Sequence, residues 1–260
     1  MSSPSLIQLR ARIAALEGQA ADGTTGGLPL GVAEIDAVLP GGGLPLGVLH
    51  EIAPAALGDG VLHGAALGFA AVCLGRLARQ QERTVLWVTA ADDLYAPGLA
   101  ALGLDAQRLL VVRPRNAAQA AWVVEEGLHC RGLAAVLGET WGLDGTAARR
   151  LQLAARASGV TAFLLNQGRA AAPAVTRWRV APALGGDAPD HGALGPGRMG
   201  LGAWRWRLEL CHCRGRGWGE DGIVGSWLVE WNDEARRLRM ATPAGDRPAL
   251  PVRRRRMGQG

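Results

Sequence analysis

Short apolar runs alternate with longer helical stretches between residues 44 and 166. The runs predict buried strands, and they cover residues 48–52, 84–90, 109–112, 133–138 and 160–165. The stretches between them predict helices over residues 61–81, 95–102, 116–130 and 144–158. Strands that alternate with helices indicate βαβ units, so we expect an α/β fold with a mostly parallel sheet flanked by helices. In open sheets of this kind, ligands bind beyond the carboxyl ends of the strands.

Apolar and polar residues alternate in three segments of the C-terminal part, residues 204–213, 225–231 and 236–241. A period of two is typical of antiparallel strands that are buried on one face. In the first segment, one predicted face carries Trp204, Trp206, Leu208 and Leu210, and the other carries Arg205, Arg207 and Glu209. We therefore expect the mostly parallel sheet to continue into antiparallel C-terminal strands, with residues 214–222 as the turn between the first two.

The other segments predict one central domain with two appendages. Residues 168–200 are dominated by Gly, Pro, Ala and Asp, which predicts a long, mobile loop. Residues 242–260 include four consecutive arginines, 253–256, and predict a basic, disordered tail. We expect an N-terminal helix and linker over residues 1–27 and the domain itself over residues 28–241.

Residues 5–17 carry a single apolar stripe at helical spacing. The stripe is formed by Leu6, Leu9, Ile13 and Leu16. A Gly- and Thr-rich linker over residues 18–27 separates this helix from the domain. The stripe must be buried either on its own domain or on a neighbouring molecule, and the sequence leaves both arrangements open.

All 28 basic residues are arginines, and the chain contains no lysine. This excludes mechanisms that need a lysine, such as a Walker A phosphate clamp, a Schiff base or a Ser-Lys dyad. Four cysteines in 260 residues do not form a disulfide framework, so we expect a reducing cytoplasm. The longest apolar stretch, residues 61–75, is interrupted by His63 and is shorter than the ~20 residues of a membrane span, so we expect no membrane attachment.

The positive charge is concentrated in the C-terminal third. Residues 169–260 carry 16 arginines against 9 acids, whereas residues 1–168 carry 12 against 14. Six of the nine tryptophans also lie in this third. Interleaved Arg and Trp indicate a surface that contacts phosphate or a protein partner. The alternative is that the tryptophans belong to the core.

The region from residue 41 to residue 213 resembles the RecA-like ATPase core. A RecA recombinase has a similar GLPxGxxxEI opening, matched here by Gly43-Leu44-Pro45-Leu46-Gly47 and Glu51-Ile52. It also has a strand that ends in Asn-Gln, matched by Phe163-Leu164-Leu165-Asn166-Gln167. The resemblance implies a RecA-like fold and, because RecA-like proteins dock an N-terminal element onto a neighbour, implies that the N-terminal stripe joins chains.

The ATPase residues of that family are absent at the matching positions. The loop over residues 53–64 has neither the Lys nor the Ser/Thr of the phosphate-binding motif. Ala91 stands where the catalytic Glu belongs, and Gly138 stands where the Walker B Asp belongs, with Glu139 adjacent as a substitute to be tested. We therefore expect no phosphoryl transfer, no enzymatic activity and no cofactor.

A RecA-like body without ATPase residues, followed by Arg- and Trp-rich strands, resembles the ImuA family. The segments that carry the resemblance are 176–179, 204–210 with 214–217, and 226–231. The resemblance implies an accessory protein of damage-induced (SOS) mutagenic translesion DNA synthesis. The implied partners are an ImuB-like inactive relative of Y-family polymerases and an error-prone replicative-type polymerase α subunit, with RecA and DNA as further candidates. A SulA-like division inhibitor and a degenerate RecA-like DNA-binding ATPase are the alternatives.

The candidate contact residues lie on or beside the C-terminal strands. They are Arg177, Trp178, Arg179, Arg205, Arg207, Arg214, Arg216 and Trp218. Arg pairs in a bidentate manner with phosphate or carboxylate, and Trp stacks on a base or on an apolar anchor. A metal site is not expected at Cys211-His212-Cys213, because strand alternation places the two thiols on one face and the imidazole on the other.

Overall fold

The computed structural model describes residues 27–56, 60–140, 143–166, 174–183, 203–214 and 223–241 of the chain. Nine strands in these residues form one sheet. They are β1 (Leu49–Pro54), β2 (Thr84–Val88), β3 (Leu109–Val112), β4 (Leu133–Thr140), β5 (Thr161–Asn166), β6 (Thr176–Ala183), β7 (Arg205–Cys213), β8 (Gly225–Asn232) and β9 (Arg237–Met240). Their order across the sheet is β3-β2-β4-β5-β1-β6-β7-β8-β9.

Strands β1 to β6 run parallel, and β6 to β9 pair antiparallel. The expected α/β fold with antiparallel C-terminal strands is therefore confirmed. The α-helices of the described residues are α1 (Ala33–Asp36), α2 (Gly60–Gln81), α3 (Ala96–Ala101), α4 (Ala117–His129) and α5 (Gly145–Ser158). The first five strands and helices α2 to α5 lie where the hydrophobic pattern predicts them.

Side-chain caps begin two of these helices. The carboxamide oxygen of Asn116 accepts from the Gln119 backbone N–H at 2.8 Å, and the carboxylate of Asp144 accepts from the Ala147 N–H at 2.7 Å. Both bonds satisfy a backbone donor that has no partner within the helix. Helix α5 ends at Gly159, whose φ of 79° is the left-handed conformation that glycine adopts without strain.

Helices cover the two faces of the sheet unequally. Helix α2 packs on one face, where the larger core cluster extends from Leu28 to Leu238 and includes Phe69. Helices α4 and α5 pack on the other face, over β1, β2, β4 and β5, around a second core cluster that includes Val124 and Leu151. On that second face the strands continue beyond β1 into β6 to β9, where the residues are polar and charged.

Helix α2 is long and apolar enough to span a membrane, with a mean hydropathy of 1.6 over an 18-residue window. Within the protein, however, 67% of that window is buried. Its packing on the sheet is close: a Cβ added to Gly75 would lie 2.5 Å from the Gly103 carbonyl oxygen. These contacts are those of a core helix in a folded domain.

Strand β6 corrects the prediction of one continuous loop over residues 168–200. Residues Thr176–Ala183 form a central strand that pairs parallel with β1 and antiparallel with β7. The strand forms because Trp178 and Val180 alternate with arginines and are 1% and 0% exposed. The alternation is short and lies between segments rich in Gly, Pro and Ala, so the sequence pattern did not predict this strand. The other residues of 168–200, apart from 174–175, lie outside the described residues.

Candidate functional site

Strands β6 to β9 present a charged face on the side of the sheet opposite α2. We define this charged face by Glu51, Arg177, Arg179, Arg205, Arg207, Glu209, Glu230 and Arg239. The first β7 residues alternate as predicted: Trp206 and Leu208 are buried, whereas Arg207 is exposed. The register places Arg207 between Ala181 of β6 and Leu228 of β8. The charged face thus follows from strand alternation, and its ion pairs follow from the register.

Glu230 is the centre of a three-residue ion network at one end of the charged face. Its carboxylate accepts from Arg205 Nε at 2.9 Å and lies 2.8 Å from Arg205 Nη2. Arg239 donates to the other carboxylate oxygen through Nε at 2.6 Å and also contacts it through Nη2. The side chains of Glu230 and Arg205 are only 6% and 11% exposed. A buried carboxylate held by two guanidinium groups is a structural element of the sheet.

Two further ion pairs cross the strands on the charged face. Arg177 Nε donates to Glu51 Oε2 at 3.0 Å, and the Glu51 side chain is 3% exposed. Arg179 Nη1 donates to Glu209 Oε2 at 3.1 Å, with 48% of the Arg179 side chain exposed. Arg177 is therefore bound to a buried charge, whereas Arg179 stays accessible at the surface.

Arg207 and Arg214 differ from the other candidate arginines. Within the described residues, neither has a carboxylate within the 4.0 Å that defines an ion pair. Arg207 is exposed, and its cross-strand neighbours are the apolar residues Ala181 and Leu228. Arg214 is half-buried and follows β7, where its backbone N–H donates to the Val175 carbonyl at 2.8 Å. Their guanidinium groups are the ones that a partner can pair without displacing an internal carboxylate.

Trp178 was a candidate contact residue, and the structure corrects this. Its side chain is 1% exposed and packs against Phe69 of α2, with ring centroids 5.6 Å apart. Its Nε1 donates to Thr176 Oγ1 at 3.0 Å, so its polar atom also has a partner inside the protein. Trp87, Trp206 and Trp231 are buried as well, so the core alternative holds for these tryptophans.

A second correction concerns Cys211 and Cys213, which were expected to share a face. The pairing shifts where Arg177 lies opposite His212 and Trp178 lies opposite Leu210, so Cys211 is the extra residue of a β-bulge. Cys213 belongs to the core cluster, whereas Cys211 lies among the charges of Arg179 and Glu209.

Burial governs how these residues titrate. Burial raises the pKa of the Cys211 thiol, which keeps it protonated. Burial also lowers the pKa of His212, and the charges of Arg177 and Arg214 lower it further. No group of three or more His, Cys, Asp and Glu side chains in the described residues is arranged to hold a metal ion.

A polar cluster lies at the carboxyl ends of β2 and β4, beside the first turn of α2. Trp87 Nε1 donates to Glu139 Oε1 at 2.7 Å, and His63 Nε2 lies 3.7 Å from Glu139 Oε2. The Glu139 side chain is 6% exposed. Glu139 is therefore held by a Trp and a His of the chain itself. A carboxylate in this position repels a phosphate, and no lysine is available to offset it.

The remaining predicted site residues lie outside the described residues. These are Arg216, Trp218 and the N-terminal stripe of Leu6, Leu9, Ile13 and Leu16. Conversely, Glu230, Arg239 and Glu51 belong to the charged face but were not among the predicted contact residues. Glu230 and Arg239 do alternate within predicted strands, but their pairing depends on a register that the sequence does not contain.

No protein-family model matches the chain. A curated relative does: the chain is 38% identical over 216 residues to Protein ImuA of Caulobacter vibrioides strain NA1000 / CB15N, covering 78% of this chain and 82% of the relative. The ImuA protein of strain ATCC 19089 / CIP 103742 / CB 15 matches with the same identity and coverage. The chain belongs to the ImuA family. The expected family is thereby confirmed.

Two solved structures align with this ImuA-family chain. The RadB recombinase aligns with a TM-score of 0.52 and 13% identity, covering 83% of this chain and 100% of RadB. At that identity the likeness concerns the fold alone, and it confirms a RecA-like core. SulA from Pseudomonas aeruginosa aligns with a TM-score of 0.38 and 21% identity, over 45% of this chain and 97% of SulA.

Proposed function

We propose that this ImuA-family chain is a non-enzymatic adaptor of damage-induced mutagenic translesion DNA synthesis, acting in the cytoplasm. Family membership supports an accessory role in the response to DNA damage. The adaptor binds its partner through Arg207 on the charged face and through Arg214, which directly follows β7. The observation that carries this proposal is the contrast between them and the internally paired Arg177 and Arg205.

The partner that fits this surface is a protein with carboxylates rather than a nucleic acid. Three glutamates offset part of the positive charge of the charged face, and the first 168 residues carry more acids than arginines, so the rest of the domain would not help to hold a polyanion. Arg207 sits between two apolar residues, an arrangement suited to an ion pair at the edge of an apolar contact. We propose the ImuB-like polymerase relative as this partner and the error-prone polymerase α subunit as a further member of the complex.

The polar cluster at Glu139 supports the absence of catalysis. Its carboxylate lies near the start of α2, where the RecA-like fold binds phosphate, and Trp87 and His63 both contact it. With no lysine in the chain, no side chain supplies the positive charge of the phosphate-binding motif. The proposed adaptor therefore neither needs nor uses a nucleotide.

Complementation of a deletion strain tests the proposed function. Cells that carry Arg207→Glu together with Arg214→Glu should lose damage-induced mutagenesis. The matched control is Arg83→Glu, which changes an exposed arginine at the start of β2, far from the charged face, and should restore mutagenesis. Full mutagenesis in the double variant, with the protein present at normal levels, would overturn the proposal.

A further inference from the structure

An apolar cleft of about 440 Å³ lies between the first half of α2 and the adjoining ends of β6 and β7. Its α2 wall consists of Val61, Gly64, Ala65 and Gly68. The opposite wall is formed by Pro182, Ala183, Ala203, Trp204, Arg205 and Trp206. Val61 and Trp204 at its rim are 70% and 43% exposed, which is unusual for large apolar residues in a domain that buries most of its tryptophans. The cleft opens on the α2 side of the sheet, and Arg205 is the residue of the charged face that also lines it.

The α2 wall is shaped to accept another helix. Its four residues are spaced i, i+3, i+4 and i+7, so they form one stripe about two turns long. Three of them are Gly or Ala, which allows a second helix axis to approach closely at Gly64, whereas the Trp206 ring already covers Gly68, where an added Cβ would lie 3.1 Å from it. A Cβ added to Gly64 would meet no atom within 4 Å, so this position opens into the cleft.

The N-terminal segment carries the complementary pattern. Its residues Leu9, Ile13 and Leu16 are spaced i, i+4 and i+7, the same length along a helix as Val61 to Gly68. Both stripes therefore extend over about 10 Å at 1.5 Å per residue. The N-terminal stripe supplies bulky apolar side chains, and the α2 wall of the cleft supplies small residues.

The linker over residues 17–26, here called the tether, is long enough for the N-terminal stripe to reach the cleft of its own chain. The tether joins the domain at Gly27, which is at most about 14 Å from Gly31. Gly31 lies beside the Arg76 side chain, and Arg76 to Gly64 is about 18 Å along α2. Residues 17–26 reach about 33 Å when extended. A short flexible tether also gives an effective concentration of about millimolar, far above that of a second molecule in dilute solution.

We infer that the cleft binds the N-terminal stripe of the same chain, with Leu9, Ile13 and Leu16 packed against Val61, Gly64 and Ala65. Of the two arrangements that the sequence leaves open, the tether thus favours packing within one chain over the joining of chains. This inference goes beyond the proposed function and does not depend on it, because neither Arg207 nor Arg214, the proposed partner contacts, lines the cleft.

Cross-linking of the full chain tests it directly. The cysteine pair Leu9→Cys and Val61→Cys is introduced together with Cys130→Ser, because Cys130 is exposed while Cys73, Cys211 and Cys213 are buried. A short bis-maleimide should link the pair within monomers, as seen on a denaturing gel and by peptide mass. Replacing Val61→Cys by Leu110→Cys, an exposed position on the edge strand β3, should lower the yield at least tenfold.

A cleft-filling variant completes the test. Gly64→Leu places a side chain in open space and raises helix propensity, so the domain should melt at or above the wild-type temperature. In this variant the Leu9–Val61 link should disappear. Equal yields at Val61 and Leu110, an unchanged yield in Gly64→Leu, or links found only in covalent dimers would each overturn the inference, the last by making a second copy the occupant.

Discussion

Arg205 and Glu230 face each other across β7 and β8, with Arg205 Nη2 2.8 Å from Glu230 Oε2 and both side chains almost fully buried. Two residues along the same strand, Arg207 is exposed and has no carboxylate partner among the described residues. One strand therefore carries an arginine that holds the sheet together and an arginine that can bind a partner. The two roles are separable by mutation.

Arg205→Ala should destabilise the domain by about 1.5–3 kcal/mol, because it removes one of two guanidinium partners of a buried carboxylate and leaves Arg239 as the other. Arg207→Ala should change the free energy of unfolding by no more than about 0.5 kcal/mol, since it removes an exposed side chain. Denaturant titration of the two variants measures both values. If Arg205→Ala lowered the free energy of unfolding no more than Arg207→Ala does, the ion network would not stabilise the sheet.

Trp178→Ala should cost about 3–5 kcal/mol, because it leaves a cavity between β6 and Phe69 of α2. Trp204→Ala, at the exposed rim of the cleft, should cost less than about 1 kcal/mol. The comparison is made by thermal and denaturant unfolding. A Trp178→Ala protein of wild-type stability would show that this tryptophan is not a core residue.

The protein should neither bind ATP tightly nor hydrolyse it above background. Glu139, at the carboxyl end of β4, accepts a hydrogen bond from Trp87 and lies 3.7 Å from His63, and lysine is absent. Equilibrium binding of labelled ATP and a phosphate-release assay measure this, with Glu139→Ala as the comparison. Turnover that Glu139→Ala abolishes would assign Glu139 a catalytic role.

Burial lowers the pKa of His50 to about 4. Its two ring nitrogens form hydrogen bonds, Nδ1 with Thr176 Oγ1 at 2.7 Å and Nε2 with the Pro45 carbonyl oxygen at 2.8 Å. The unfolded state, with the ordinary value of 6.5, binds the proton more readily, so stability is lost as the pH falls from 6.5 towards 4. The loss from this group should approach about 3 kcal/mol. His50→Gln should flatten the pH dependence of unfolding over this range, and an unchanged slope would contradict the assignment.

The sequence predicts β1 to β5 because apolar residues dominate each of these strands, as burial on both faces requires, even though β1 also carries His50 and Glu51. Strand β6 escapes prediction because only Trp178 and Val180 mark its buried face, between flanks rich in Gly and Pro. Alternation also fails at Cys211, where a β-bulge adds one residue. A bulge leaves no clear trace in composition or periodicity.

The sequence predicts where the arginines of the charged face lie, but not which of them are available. Arg205 and Glu230 are 25 residues apart, and Arg177 and Glu51 are 126 apart, so their pairing is a property of strand order and register. Arg177 and Arg207 look alike in the sequence because each alternates with buried residues. Only the position of the carboxylates across the sheet distinguishes a structural guanidinium group from an accessible one.

Binding of the purified full chain to the ImuB-like polymerase relative tests the central claim most directly. Isothermal titration with Arg207→Glu/Arg214→Glu should show at least a tenfold weaker Kd, about 1.4 kcal/mol, while Arg83→Glu should match the wild type. The affinity should also vary less with salt than a single-stranded DNA contact, whose log–log slope is about −0.7 per phosphate. An unchanged Kd in the folded double variant would contradict the account, because the charged face would then not be the surface that holds the partner.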